Sequence, residues 1–135
     1  MAEITVAAAL KSLDAVLSFV DGEMARVGCS PKLMAQVDVA VEEIFVNIAR
    51  YAYHPEAGEA RIRCEAGGAP FQIIVGFADR GRPFDPLARE DPDVTLDAEQ
   101  RQAGGLGILL AKKLMDDIHY EYRDGQNILT LRKNG

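Results

Sequence analysis

Residues 59–65, EARIRCE, alternate in character and put Ala60, Ile62 and Cys64 on one face. Gly67-Gly68 follow as a turn, and residues 71–79, FQIIVGFAD, return as a largely apolar strand. A hairpin of this kind ties neighbouring strands into an antiparallel pair. The device recurs near the end of the chain, where residues 120–123 and 128–132 flank Asp124-Gly125. The rest of the periodicity is helical, apart from a first strand expected over residues 3–9. Leu13, Val16, Leu17, Val20, Met24 and Val27 keep helical spacing up to a stop at Gly28. Ser30-Pro31 supplies a capping side chain and then proline at the first helical position, which opens a second helix running to about Tyr53, before His54-Pro55. Hairpin-linked strands with helices in separate stretches predict the α+β class: a two-layer α/β sandwich, its sheet mixed but mostly antiparallel, with helices on one face.

Composition narrows the function. A chain of 135 residues, 48% hydrophobic and 27% charged, suits a single globular domain with one core. No apolar run reaches the roughly 20 residues that span a bilayer, and MAEITVAAALKS lacks the basic start of a signal peptide. Cys29 and Cys64 have no C-x-x-C partner and read as reduced core thiols of a cytoplasmic protein rather than metal ligands. The net charge of −6 argues against nucleic acid as a direct partner, because a phosphate backbone would be repelled.

Three short motifs carry chemistry. On the second helix, which carries VEEIFVNIARYAY, the apolar residues Val37, Val41, Ile44, Phe45, Ile48 and Ala52 fall within an arc of roughly 100°. Glu43 and Asn47 sit about 40° from each other on one flank of that arc, with Glu42 toward the opposite flank. A carboxylate beside an amide can hold a hydrated Mg²⁺ and orient an attacking group, although such a pair also occurs as plain boundary polarity. In ADRGRPFDP, residues 78–86, Asp79 ends the apolar strand and can accept a hydrogen bond from an exocyclic amine such as that of adenine. Gly81 leaves room there for a flat ring; the competing reading is a tight turn. In AGGLGILLAKKLMDD, residues 103–117, Gly104, Gly105 and Gly107 precede an apolar helix expected to run to about Asp117. Glycine costs a helix about 1 kcal/mol relative to alanine, so the cluster reads either as a flexible loop or as a phosphate cradle at a helix N-terminus. It matches neither the Rossmann fingerprint nor a P-loop. The polar stretch over residues 80–103 is long for a loop in a compact domain, a length typical of functional lids and disordered segments.

Taken in order, E-x-x-x-N on a helix, D-x-G-x-x-F-D-P after a strand and G-G-L-G-I opening a later helix resemble the N, G1 and G2 boxes of the GHKL (Bergerat-fold) ATPase superfamily. The nearest likeness is to its bacterial anti-sigma-factor serine/threonine kinase branch, and it extends over residues 4–133. The resemblance implies ATP and Mg²⁺ as cofactors. It implies Glu43 as the general base, Asn47 as the Mg²⁺ ligand, Asp79 as the adenine-binding acid and Gly81 as the glycine beside the ring. Gly104, Gly105, Leu106 and Gly107 match the phosphate-binding turn, and Thr130 matches a threonine that supports the adenine-binding acid. Residues 87–103 match the ATP lid, where Arg89 and Arg101, with Arg80 and Arg82 nearby, face either phosphate charge or plain solvent.

By the same resemblance the chain is a cytoplasmic kinase of a partner-switching circuit, and a homodimer. It would phosphorylate a STAS-type anti-sigma-factor antagonist and hold a sigma factor, without touching nucleic acid or membrane. The alternative is a module without turnover that sequesters a sigma factor or similar partner. Retention of both Glu43 and Asn47 speaks against that, since binding alone requires no base. The chain departs from the pattern at Tyr51, where relatives often carry histidine, and no lysine is obviously aimed at a γ-phosphate.

Overall fold

The structure is a computed structural model, and it describes residues 2–88 and 105–135. Five strands and three helices follow one another as β1 (Ala2–Ala7), α1 (Leu13–Arg26), α2 (Pro31–Tyr51), β2 (Glu59–Gly67), β3 (Gln72–Asp79), α3 (Gly105–Leu114), β4 (Asp117–Arg123) and β5 (Gln126–Asn134). The strands form one sheet in the order β1-β2-β3-β5-β4. All four strand pairings are antiparallel, so the sheet is not mixed as the sequence left open.

Local chemistry sets the helix ends. Gly28 takes φ +76° and closes α1: its N–H donates to Ala25 O and that of Cys29 to Met24 O, the paired bonds of a Schellman motif. The Ser30 hydroxyl accepts from Leu33 N at 3.2 Å and caps α2, with Pro31 at its first position. α3 stops earlier than expected, at Leu114 rather than near Asp117. The chain there is taken by the sheet: Asp116 N donates to Arg132 O, the Asp116 carboxylate accepts from Asn134 N, and Asp117 pairs with Arg132.

The core lies between the helices and one face of the sheet. Val16, Val20 and Met24 from α1 and Val37, Val41, Ile44 and Phe45 from α2 meet Ile62, Val75, Phe77 and Leu131 from the strands, all fully or almost fully buried. Burying such side chains contributes about 1.5–3 kcal/mol each, which makes this face the main source of stability. Along β3 and β5 every second residue is buried, so Asp79 and Asn127 fall on the helix-facing side. Among the described residues no helix is long and apolar enough to cross a membrane.

Candidate functional site

The chain leaving β3 is held by a closed set of hydrogen bonds. Arg80 N donates to Tyr53 Oη at 2.7 Å, Gly81 N to Asp79 Oδ1 at 2.9 Å, Arg82 N to Ala52 O at 3.0 Å and Phe84 N to Asn127 Oδ1 at 3.1 Å. Pro83 has no N–H, so every backbone donor from Arg80 to Phe84 has a partner. Gly81 must be glycine for a specific reason: a Cβ there would lie 2.1 Å from Ala52 O, which is backbone and cannot give way.

Asn127 is the hub of this set. Its Nδ2 donates to Asp79 Oδ1 at 3.0 Å and to Arg82 O at 2.9 Å, while its Oδ1 accepts from Phe84 N and from the Tyr120 hydroxyl. Both hydrogen bonds to Asp79 end on Oδ1, so Oδ2 has no partner among the described residues. Burial pushes the Asp79 carboxyl above the usual carboxylate range, and the bonds from Asn127 and Gly81 pull partly back. The result is a buried acceptor, 6% exposed, held in one orientation by donors alone.

A cleft of about 420 Å³, counting its mouth, opens in front of Asp79. Its walls are apolar, from Ile44, Ile48, Phe77 and Leu129, with the Tyr51 and Phe84 rings tilted against each other at 6.3 Å between centroids. Asp79, Asn127 and Asn47 supply its polar side chains, and Arg82 borders it with its guanidinium donating to His54 O at 2.6 Å. Apolar walls with a few fixed polar groups suit a flat heteroaromatic ring. Asn47 is 9% exposed and lines the cleft, and its side chain makes no hydrogen bond among the described residues.

Glu43 sits one helical turn before Asn47, and α3 crosses it there. A Cβ on Gly107 would fall 2.1 Å from Glu43 Oε2, so the start of α3 lies directly on this carboxylate, and any larger residue would have to push the Glu43 side chain aside. The fold therefore gathers the expected residues along α2: Gly107 against Glu43, then Asn47 on the cleft wall, then Asp79 and Gly81 beyond the helix end. Gly105 opens α3, and Leu106 follows in its first turn. Gly104, Arg89, Arg101 and most of the expected lid lie outside the described residues. The lid's first residue, Leu87, packs against the core from a short 3₁₀ turn.

Thr130 is a correction. It pairs with Gly76 and points to the sheet face away from the helices, so it cannot support Asp79. Asn127 stands in that place. Counting in twos along β5 separates them beforehand: Asn127, Leu129 and Leu131 share the buried parity, and Ile128, Thr130 and Arg132 the open one. A polar residue on the buried parity of a strand was the signal for Asn127. Tyr120 and Tyr53 had no comparable signal, because their bonds reach across the fold.

The histidine kinase-like ATPase domain profile matches residues 6–133. The serine-protein kinase RsbW of Listeria monocytogenes is 30% identical over 112 residues, covering 80% of this chain and 71% of its own. The serine/threonine-protein kinase BtrW of Bordetella bronchiseptica is 28% identical over 102 residues, with coverage of 76% and 71%. Among solved structures, the RsbU and RsbW domains of a Mycobacterium tuberculosis protein superpose with a TM-score of 0.63 at 13% identity, covering 98% of this chain and 32% of that one. A histidine kinase domain from Erythrobacter litoralis superposes with a TM-score of 0.57 at 14% identity, over 90% of this chain and 60% of that one. At such identities the superpositions speak for the fold alone.

Proposed function

The chain belongs to the histidine kinase-like ATPase family, on the branch of the RsbW serine-protein kinases, and on that premise we propose that it binds ATP with Mg²⁺ and phosphorylates a serine or threonine of an anti-sigma-factor antagonist. The observation that carries the reading is the line of groups along α2, with a fixed acceptor at one end and a carboxylate under a glycine-built helix start at the other.

The adenine ring would enter the apolar cleft with its exocyclic amine toward Asp79. Asp79 Oδ1 already accepts from Gly81 N–H and Asn127 NH₂, and Oδ2 would accept from the amine. The phosphates would then run along α2 toward the start of α3, where the first N–H groups of a helix and the positive end of its dipole favour anions. Asn47 fits a magnesium ligand: it offers a hard oxygen with no bond among the described residues, and Mg²⁺ takes one or two protein groups and fills its remaining positions with water and phosphate oxygens. When bound, the metal neutralises phosphate charge. Glu43 would take the proton from the attacking hydroxyl; its close approach to Gly107 supports this, since the start of α3 would receive the γ-phosphate.

The antagonist is proposed to be of the STAS type, and the circuit a partner switch in which the unphosphorylated antagonist competes with a sigma factor for this kinase. The carboxylate at Glu43 favours turnover over mere sequestration, since holding a partner needs no base. Calorimetric titration with ATP and Mg²⁺, comparing the unaltered protein with Asn47→Ala, tests the reading. It predicts micromolar binding, about −8 kcal/mol, that weakens in the variant. A folded protein that gives no heat would instead leave a sequestering module without nucleotide.

A further inference from the structure

Tyr53 has no part in the reading above, yet its hydroxyl joins the two elements that carry the site. It lies just beyond the end of α2, donates to Glu59 O at 2.6 Å and accepts from Arg80 N at 2.7 Å. Arg80 is the residue that follows Asp79. Two residues on, Arg82 N donates to Ala52 O, and Gly81 is pressed against that same carbonyl. The Tyr53 ring is itself held in place, lying so close over Gly58 that a Cβ there would meet its Cε1 at 2.3 Å.

We infer that Tyr53 is a positioning residue for nucleotide recognition: its hydroxyl clasps the backbone after Asp79 to the end of α2 and so sets the reach from the ring-binding acid to Asn47 and Glu43. The inference rests on the nucleotide reading proposed above. Asp79 is fixed from one side by Asn127 on β5, which orients its Oδ1. The Tyr53 clasp acts from the other side and fixes the position of the strand end relative to α2. Without it, Asn127 would still orient the carboxylate and Arg82 N would still bond Ala52 O. The residue next to Asp79 would nevertheless lose its own tie to the end of α2, and the spacing between the two ends of the ligand site would loosen. Both bonds of the hydroxyl lie at the surface, so water can replace them in its absence and the fold survives. Loss of the hydroxyl should therefore show in ligand selectivity far more than in stability.

The test is Tyr53→Phe, which keeps the ring over Gly58 and removes only the hydroxyl. Binding of ATP and of purine riboside triphosphate, which lacks the 6-amino group, is measured with Mg²⁺ for the unaltered protein and the variant. The unaltered protein should prefer ATP, and Tyr53→Phe should lose about tenfold in ATP affinity, a single hydrogen bond's worth, while its affinity for the analogue changes by less than about twofold. A structural role alone would weaken both ligands equally, and that result overturns the clasp, as does an unchanged ATP affinity. Gly58→Ala is the second variant: its methyl displaces the ring while leaving the hydroxyl chemistry intact, and the same selective loss is expected. If the unaltered protein binds no ATP, the nucleotide reading falls and the clasp with it. If it binds ATP but does not distinguish the analogue, the clasp falls together with the contact between Asp79 and the amine, while ATP binding itself stands.

Discussion

Two glycines, one against the C-terminal end of α2 and one against its middle, show how differently the two halves of the site are built. Gly81 lies against the carbonyl of Ala52, so its missing Cβ is demanded by immovable backbone, and the chain around it is bonded at every N–H. Gly107 lies against the carboxylate of Glu43, a side chain that can rotate away. The first end is a shape held by many partners, suited to recognising a ring. The second is a close approach between a helix start and an acid, suited to handling charge. The same residue type serves recognition in one place and reactivity in the other, and what it touches tells them apart.

Removing the acid at the reactive end should have the largest effect. Glu43→Ala is expected to leave ATP affinity within about threefold and to slow phosphotransfer by roughly 10²–10⁴, the usual worth of a general base, as measured by single-turnover transfer to a protein acceptor. Equal loss of affinity and rate would mean that Glu43 belongs to binding. The glycines themselves come next. Gly81→Ala should lose ATP binding by about tenfold or more, because the loop must shift off Ala52, whereas Gly107→Ala should bind normally and transfer about tenfold more slowly as Glu43 is pushed aside. If both variants fail in the same step, the division between the two ends is wrong.

The smallest effect concerns α2, the helix that joins the ends. On its flank Asp38 meets Asp21 of α1, and one oxygen of each is buried with no partner while both are carboxylates. A proton on Asp38 turns that contact into a hydrogen bond. Burial, the Asp21 hydrogen bond and charge, and Glu42 push the Asp38 carboxyl from 3.8 up to about 7. Because the folded pKa is the higher one, the folded state holds a proton that the unfolded chain releases between these values. The contribution is complete below the unfolded pKa and is lost as pH rises through 7. Asp38→Asn keeps a neutral partner at all pH values. It should raise stability at pH 8 by about 1–2 kcal/mol, well under the full shift because the pair is partly open to solvent, and flatten the pH profile of denaturant unfolding. A variant less stable than the parent at pH 8 would contradict this.

How much of this was legible in the sequence depended on whether the cause was local. The C-terminal end of α1 and the start of α2 followed from Gly28 and from Ser30-Pro31, where the stop and the cap are neighbours in the chain. The end of α3 did not: no glycine or proline marks it, and the helix stops because Asp116 bonds to β5, a partner remote in sequence. The same distinction governs the site. Glu43, Asn47, Asp79 and the glycines sit in short motifs that the family resemblance singled out, and the structure sets Gly107 against Glu43 and Gly81 beside Asp79. The support of Asp79 was assigned to Thr130, on the wrong face of its strand, and belongs to Asn127. The Tyr53 clasp, linking the end of α2 to Arg80, has no local signature at all.

The central claim is that Asp79 is the acceptor for a nucleotide amine, presented by donors that hold it as an acceptor. Titration of Asp79→Asn with ATP and Mg²⁺, beside the unaltered protein, tests it most directly. The amide would set NH₂ against Asn127 NH₂ or against the ligand's amine. Binding should therefore weaken by at least about 100-fold, or roughly 2.7 kcal/mol, with the thermal unfolding transition retained. A folded Asp79→Asn protein that binds ATP as tightly as its parent would contradict the account.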